Sequence, residues 1–149
     1  MSSLNALTVA VELATRQRDD ALRALQGAQG AHQAALDQMA QLQGYADETQ
    51  NRWGLRANAQ VVPEVMYHHY QFMDRLGHAM GLQTTVVGDH EVRTRTAHQA
   101  LLAAELRLAS LKKLTEKRRA EWEQLQARRD QKQTDERAAL QRRTAFNGP

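Results

Sequence analysis

Steps of three and four residues carry one stripe through the first third of the chain: Leu4, Leu7, Val11, Ala14, Arg18, Ala21, Leu25, Ala28, His32, Ala35, Met39, Leu42 and Ala46. That spacing keeps a narrow, mostly apolar seam on one face of a helix, the signature of a coiled coil. One half of the seam carries larger side chains at Leu4, Val11, Leu25 and Met39. The other carries Ala14, Ala21, Ala28 and Ala35, small enough to let a partner helix approach closely. Leu22 and Leu36 widen the stripe. The pattern predicts a helix from about Ser3 to about Trp53, roughly 75 Å long.

A second heptad seam reads Ala97, Leu101, Ala104, Leu108, Leu111, Thr115, Arg118, Trp122 and Leu125. Between the two lies "WGLRANAQVVPEV", in which Gly54 and Asn58 stop the first helix and Pro63 suits the first turn of the next. A connection at about 54–62 makes an antiparallel hairpin the natural arrangement. Folding back near residue 59 sets residues opposite when their numbers add to about 118, so Leu25 meets the region of Arg93 and Leu7 meets Leu111. Everything beyond about residue 116 is then without a partner. The expected fold is all-α, a single elongated domain: an antiparallel two-helix coiled-coil hairpin with a C-terminal helical overhang.

The second helix is expected over about 63–142, with a frayed tail at 143–149. Gly77, Gly81 and Gly88, together with the β-branched run "TTVV" at 84–87, weaken it and leave room for a kink near 81–96. Its early stripe reads Val65, His69, Phe72, Leu76, Ala79, Gln83 and Val86. That stripe falls out of phase with the later seam and calls for a stutter between Arg93 and Leu101.

Composition agrees with helix: Ala, Leu, Gln, Arg and Glu dominate, and Pro occurs only at positions 63 and 149. The absence of cysteine removes disulfides, thiolate metal sites and cysteine nucleophiles together. The first twenty residues lack the pattern of a signal peptide and no window approaches a membrane span, so a cytosolic protein without direct membrane insertion is expected. Net charge is only +3, but it is unevenly placed. Residues 1–109 carry 9 Lys or Arg against 11 Asp or Glu, and residues 110–149 carry 11 against 6.

Glu64 with His68, and Asp74 with His78, stand four apart, a spacing that lets two side chains on one helix face share an ion. Neither pair assembles three converging ligands, so both read as solvated polar positions and no metal or other cofactor is expected. Nothing resembles a nucleophile elbow or a phosphate-binding loop, and a thin hairpin offers no pocket that excludes water. The chain is not expected to be an enzyme. Acidic residues from Glu116 to Glu136 are mixed through the basic overhang, which reads as a solvated helix supported by pairs four apart rather than a nucleic-acid surface. Trp122 and Leu125 are apolar seam positions left over on that overhang, available to a protein socket.

Five of the seven aromatic side chains, Tyr45, Trp53, Tyr67, Tyr70 and Phe72, fall in one central region. Hairpin arithmetic sets Phe72 opposite Tyr45, Leu76 opposite Leu42 and Ala79 opposite Gln38, one patch on neighbouring helices. With Tyr70, Met73 and Met80 it covers more of the helix circumference than one partner helix hides, as a protein-recognition surface does.

A long first helix bearing "QLQGY", then "YHHYQFMDRLGHAMGLQ", then a basic helix with "LKKLTEKRRAEWEQL" and "DQKQTDERA" resembles the FliJ family of the bacterial flagellar type III export apparatus, over nearly the full length. Thr49 stands where that family often has a second tip aromatic. The resemblance implies a two-helix stalk similar to the central stalk of rotary ATPases, cytoplasmic and peripheral at the inner-membrane export apparatus. It implies insertion of the end formed by the N-terminus and the C-terminal helix into the hexameric export ATPase FliI. It also implies engagement of the export gate FlhA by Gln38, Leu42, Tyr45, Phe72, Leu76, Ala79 and Gln83, and an escort role for export chaperones that no residue marks. On charge grounds Lys112, Lys113, Lys117, Arg118, Arg119, Arg128 and Arg129 are the residues expected to meet an acidic ring lining.

A structural or dimerising coiled-coil spacer, and the equivalent stalk of a virulence-type injectisome, remain open at the level of residues. Sedimentation at micromolar concentration separates the first of these. A stalk awaiting a ring is expected to run as a monomer, whereas a stable dimer, paired through the leftover C-terminal seam, would favour the spacer.

Overall fold

In the structure, a computed structural model, residues 2–56 and 62–146 are described. Residues 57–61 of the expected turn and 147–149 of the expected tail lie outside them. Two helices make up the fold, α1 (Ser2–Arg56) and α2 (Pro63–Phe146), paired as an all-α antiparallel hairpin. Both are longer than the sequence pattern predicts, α1 by three residues beyond Trp53 and α2 by four beyond Arg142. Pro63 occupies the first turn of α2, where its missing N–H is no loss, and Glu64 beside it suits the positive helix end. The Met66 N–H donates to the Val62 carbonyl at 3.2 Å, closing that first turn.

By its contacts the chain divides into two units, Met1–Arg18 with Ala104–Pro149 (unit 1) and Asp19–Ala103 (unit 2). Every residue of the predicted α1 seam, from Leu4 to Ala46, is buried or half-buried, and the stripe continues through Thr49 to Trp53. In unit 1 the tightest positions are Ala14, 2 % exposed, and Leu108. One is small and one large, as the alternation along the seam predicts. From Ala127 to Phe146 every α2 residue is exposed, so the C-terminal stretch is helix without a covering partner.

In unit 2, Leu25, Ala35, Leu76 and Leu101 are buried, and a hydrogen bond ties the two helices together. The Gln83 side-chain amide donates from Nε2 to the Ala35 carbonyl at 2.8 Å, with the residue only 8 % exposed. Trp53 and His69 stack with ring centroids 4.1 Å apart and planes 3° from parallel. A fold-back at residue 59 would have set Trp53 against Val65. Its partner is instead His69, one helical turn further along, whereas the Gln83 side chain reaches Ala35, a pairing that keeps the sum of 118.

The phase of α2 also differs from the expectation. Met73, Leu76, Met80, Gln83, Val87, His90, Thr94, Ala97 and Leu101 are buried or half-buried at strictly alternating steps of three and four, whereas Phe72 and Val86 are exposed. One uninterrupted seam therefore joins the early stripe to the later one, with no stutter, and α2 runs as one helix through 81–96. Polar residues in the seam are satisfied locally. Thr94 Oγ1 donates to the His90 carbonyl at 2.9 Å, Thr115 Oγ1 to Leu111 at 2.8 Å and Thr15 Oγ1 to Val11 at 2.8 Å. Among the described residues no buried side-chain polar atom lacks a partner, which is how a seam containing threonine and glutamine holds.

No large side chain among the described residues is fully buried. Stability thus rests on a line of partial contacts, and the Gln83 bond is one of few that cross it. Gln83→Ala is expected to lower unfolding free energy by about 1–2 kcal/mol. Gln83→Leu should restore it, since the Ala35 carbonyl keeps its in-helix partner and leucine fills the seam. Thermal unfolding followed by circular dichroism checks both.

Candidate functional site

The predicted docking residues of unit 2 divide by depth. Phe72 (48 % exposed) and Tyr45 (61 %) are open to solvent, as is Gln38; Leu42 and Ala79 are half-buried; Leu76 and Gln83 are buried within the hairpin. Gln83 has its amide committed to the Ala35 carbonyl. The structure therefore brings these residues to one stretch of the hairpin but gives them different work: the last two hold the helices together, and the first three present surface.

Phe72 does not sit level with Tyr45 as the midpoint arithmetic would have it. It lines a groove with Thr49, Arg52, Trp53, Val65, His68 and His69, about one turn nearer the helix ends. The groove has a flat aromatic wall in the Trp53–His69 stack, and His69 is in turn tilted against Tyr70 at 5.9 Å. Arg52 lies on the groove margin and pairs with Glu48, with Nη2 to Oε1 at 2.6 Å. Exposed Val65, Met66, Tyr67 and Tyr70 extend the apolar area along α2. An exposed apolar area of this kind with a polar margin is suited to a protein partner. Sequence reasoning missed Trp53 and His69 as a pair, although Trp53 continues the α1 seam seven residues after Ala46, the signal that reveals it.

In unit 1, Lys112, Lys113, Lys117, Arg118, Arg119, Arg128 and Arg129 are all exposed; Trp122 is half-buried and Leu125 is 47 % exposed. The expected pairs four residues apart do not form here. Ion pairs form within α1, at Arg23 with Asp20 and Arg52 with Glu48, but among the described residues none of these seven cations is joined to a carboxylate. Side-chain entropy and solvation outweigh the small Coulomb gain of an exposed pair. Their donors are left to meet an external acceptor. Arg118 and Leu125 continue the seam spacing but are uncovered, in keeping with a helix whose partner has run out.

Among the described residues no group of three or more His, Asp or Glu side chains gathers to hold a metal, and no helix is long and apolar enough to cross a membrane.

The sequence matches the family model described as flagellar FliJ protein over residues 3–145. The chain belongs to the flagellar FliJ family. Membership associates it with the flagellar protein export apparatus. No curated protein matches it. Among solved structures, a putative YscO homolog, CT670, from Chlamydia trachomatis superposes with a TM-score of 0.74 at 15 % identity, covering 100 % of this chain and 96 % of that one. At that identity the likeness is one of fold: the long antiparallel helix pair persists where the side chains do not.

Depth decides how this FliJ-family chain responds to substitution. Phe72→Ala is expected to change stability by less than about 1 kcal/mol, because half the ring is already in water. Leu76→Ala, which empties a seam position, should cost about 2–3 kcal/mol. Chemical denaturation of the two variants distinguishes surface from core.

Proposed function

We propose that the chain is a non-enzymatic stalk component of the flagellar type III export apparatus that makes two separate protein contacts. Its basic α2 segment enters the hexameric export ATPase FliI, and its aromatic face in unit 2 meets the export gate FlhA. The observation that carries this reading is the family match over 3–145, and the chemistry of the two faces supports it. Unpaired cations favour an acidic ring lining; an exposed aromatic groove favours an apolar partner. Such a protein works in the cytoplasm, peripheral to the inner-membrane export apparatus, and an escort contact with export chaperones is compatible with the remaining exposed helix.

At the gate, Gln38, Tyr45 and Phe72 make the direct contact, with Leu42 and Ala79 at its margin. Leu76 and Gln83 act from beneath by keeping the two helices in register. At the ring, Trp122 and Leu125 supply the apolar anchors and the surrounding Lys and Arg residues supply attraction at a distance. Long-range charge sets encounter rate and salt sensitivity, whereas desolvated anchors set residence time.

Reversal of Lys112, Lys117, Arg119 and Arg128 to Glu is therefore expected to slow association with the hexameric ATPase about ten-fold or more at low salt and to flatten its salt dependence. Stopped-flow measurements across ionic strength read this directly, and an unchanged rate would exclude the basic segment. For the gate, Tyr45→Ala with Phe72→Ala should weaken binding about ten-fold or more while helix content stays constant. Calorimetric titration against the gate protein's cytoplasmic domain is the measurement.

A further inference from the structure

Within unit 2 the two helices carry glycines in their interiors that nothing in the packing requires. A Cβ built at Gly27, Gly30, Gly44, Gly77, Gly81 or Gly88 would meet no atom within 4 Å. Alanine therefore fits at each, and each glycine makes local opening of the helix about five-fold easier than alanine would. All six lie in unit 2, and among the described residues unit 1 holds no glycine.

Their arrangement across the hairpin is the second observation. With Trp53 level with His69, Gly44 of α1 lies level with Gly77 and within a turn of Gly81 on α2, and Gly30 lies within about a turn of Gly88. A two-helix coil bends only where both helices yield together, so glycines scattered on one helix would do little. Here they coincide. Near the Gly30 and Gly88 level the seam also carries polar side chains, the half-buried His32, His90 and Thr94. Between the two levels stands the buried bond from Gln83 to the Ala35 carbonyl.

We propose that unit 2 is a compliant element with two soft levels, one at Gly30 and Gly88 and one at Gly44 and Gly77, kept in register between them by the Gln83–Ala35 bond. Bending at these levels lets the face around Tyr45 and Phe72 adjust to a partner without the helices sliding past each other. The compliance belongs to the hairpin itself and does not depend on which partner it meets.

The chain contains no cysteine, so spin labels can be placed cleanly. Labels at Gln26→Cys and Gln50→Cys span the α1 glycines at about 36 Å, and labels at Asp74→Cys and Thr96→Cys span those of α2 at about 33 Å. Distance distributions in the natural background are expected to be broad. They should lose that breadth when Gly30, Gly44, Gly77 and Gly88 are all changed to Ala. Amide exchange over 27–44 and 77–88 should slow about five-fold per substitution, with exchange over 105–115 unchanged. Equal widths in the two backgrounds would overturn the proposal, as would exchange in the natural chain no faster over 77–88 than over 105–115.

Discussion

A pair of helices can hide only one stripe of each, and that limit governs the molecule. Each helix offers only one or two side chains per level to exclude water, so burial is mostly partial and no large side chain among the described residues is fully enclosed. The consequence is twofold. A cross-link such as the Gln83 amide on the Ala35 carbonyl is a larger share of the contacts at its level than it would be inside a thick core. And every aromatic or cation that does not fit the stripe remains outside, where a partner can reach it.

Much of this was legible in the residues. The α1 seam is strictly periodic and largely apolar from Leu4 to Ala46, and each of its positions is buried or half-buried in the structure. Pro63 marked the start of α2, whereas the overhang expected beyond residue 116 is fully uncovered only from Ala127, with Trp122 and Gln126 still half-buried. The phase of α2 was harder to read because its seam passes through Gln83, His90 and Thr94. Phe72 and Val86, apolar neighbours of Met73 and Val87, drew the stripe one residue aside. What resolves the two is hydrogen bonding that hydropathy does not encode: glutamine reaching a backbone carbonyl across the pair, and threonine returning its hydroxyl to the carbonyl four residues before.

The candidate site shows the same division. Composition placed the aromatic residues together, and the exposed Tyr45 and Phe72 are the part of that set that presents surface. Leu76 and Gln83 are sequestered, so their contribution to any contact passes through the register they maintain. The basic stretch was readable as charge but not as unpaired charge: mixed acids and bases four residues apart suggested internal pairing, and the side chains stay apart instead. Membership of the flagellar FliJ family and the fold shared with the putative YscO homolog agree with the long helix pair that the seam builds.

The register of the hairpin decides which residues share a level, and crosslinking reads it. With Trp53 on His69, heptad spacing sets Leu42 level with Met80. In this cysteine-free chain, Leu42→Cys with Met80→Cys should form an intramolecular disulfide rapidly under mild oxidation. Leu42→Cys paired with Met73→Cys or Val87→Cys, one heptad to either side, should not. Equal crosslinking at all three, or a bond formed only between two chains, would contradict the account.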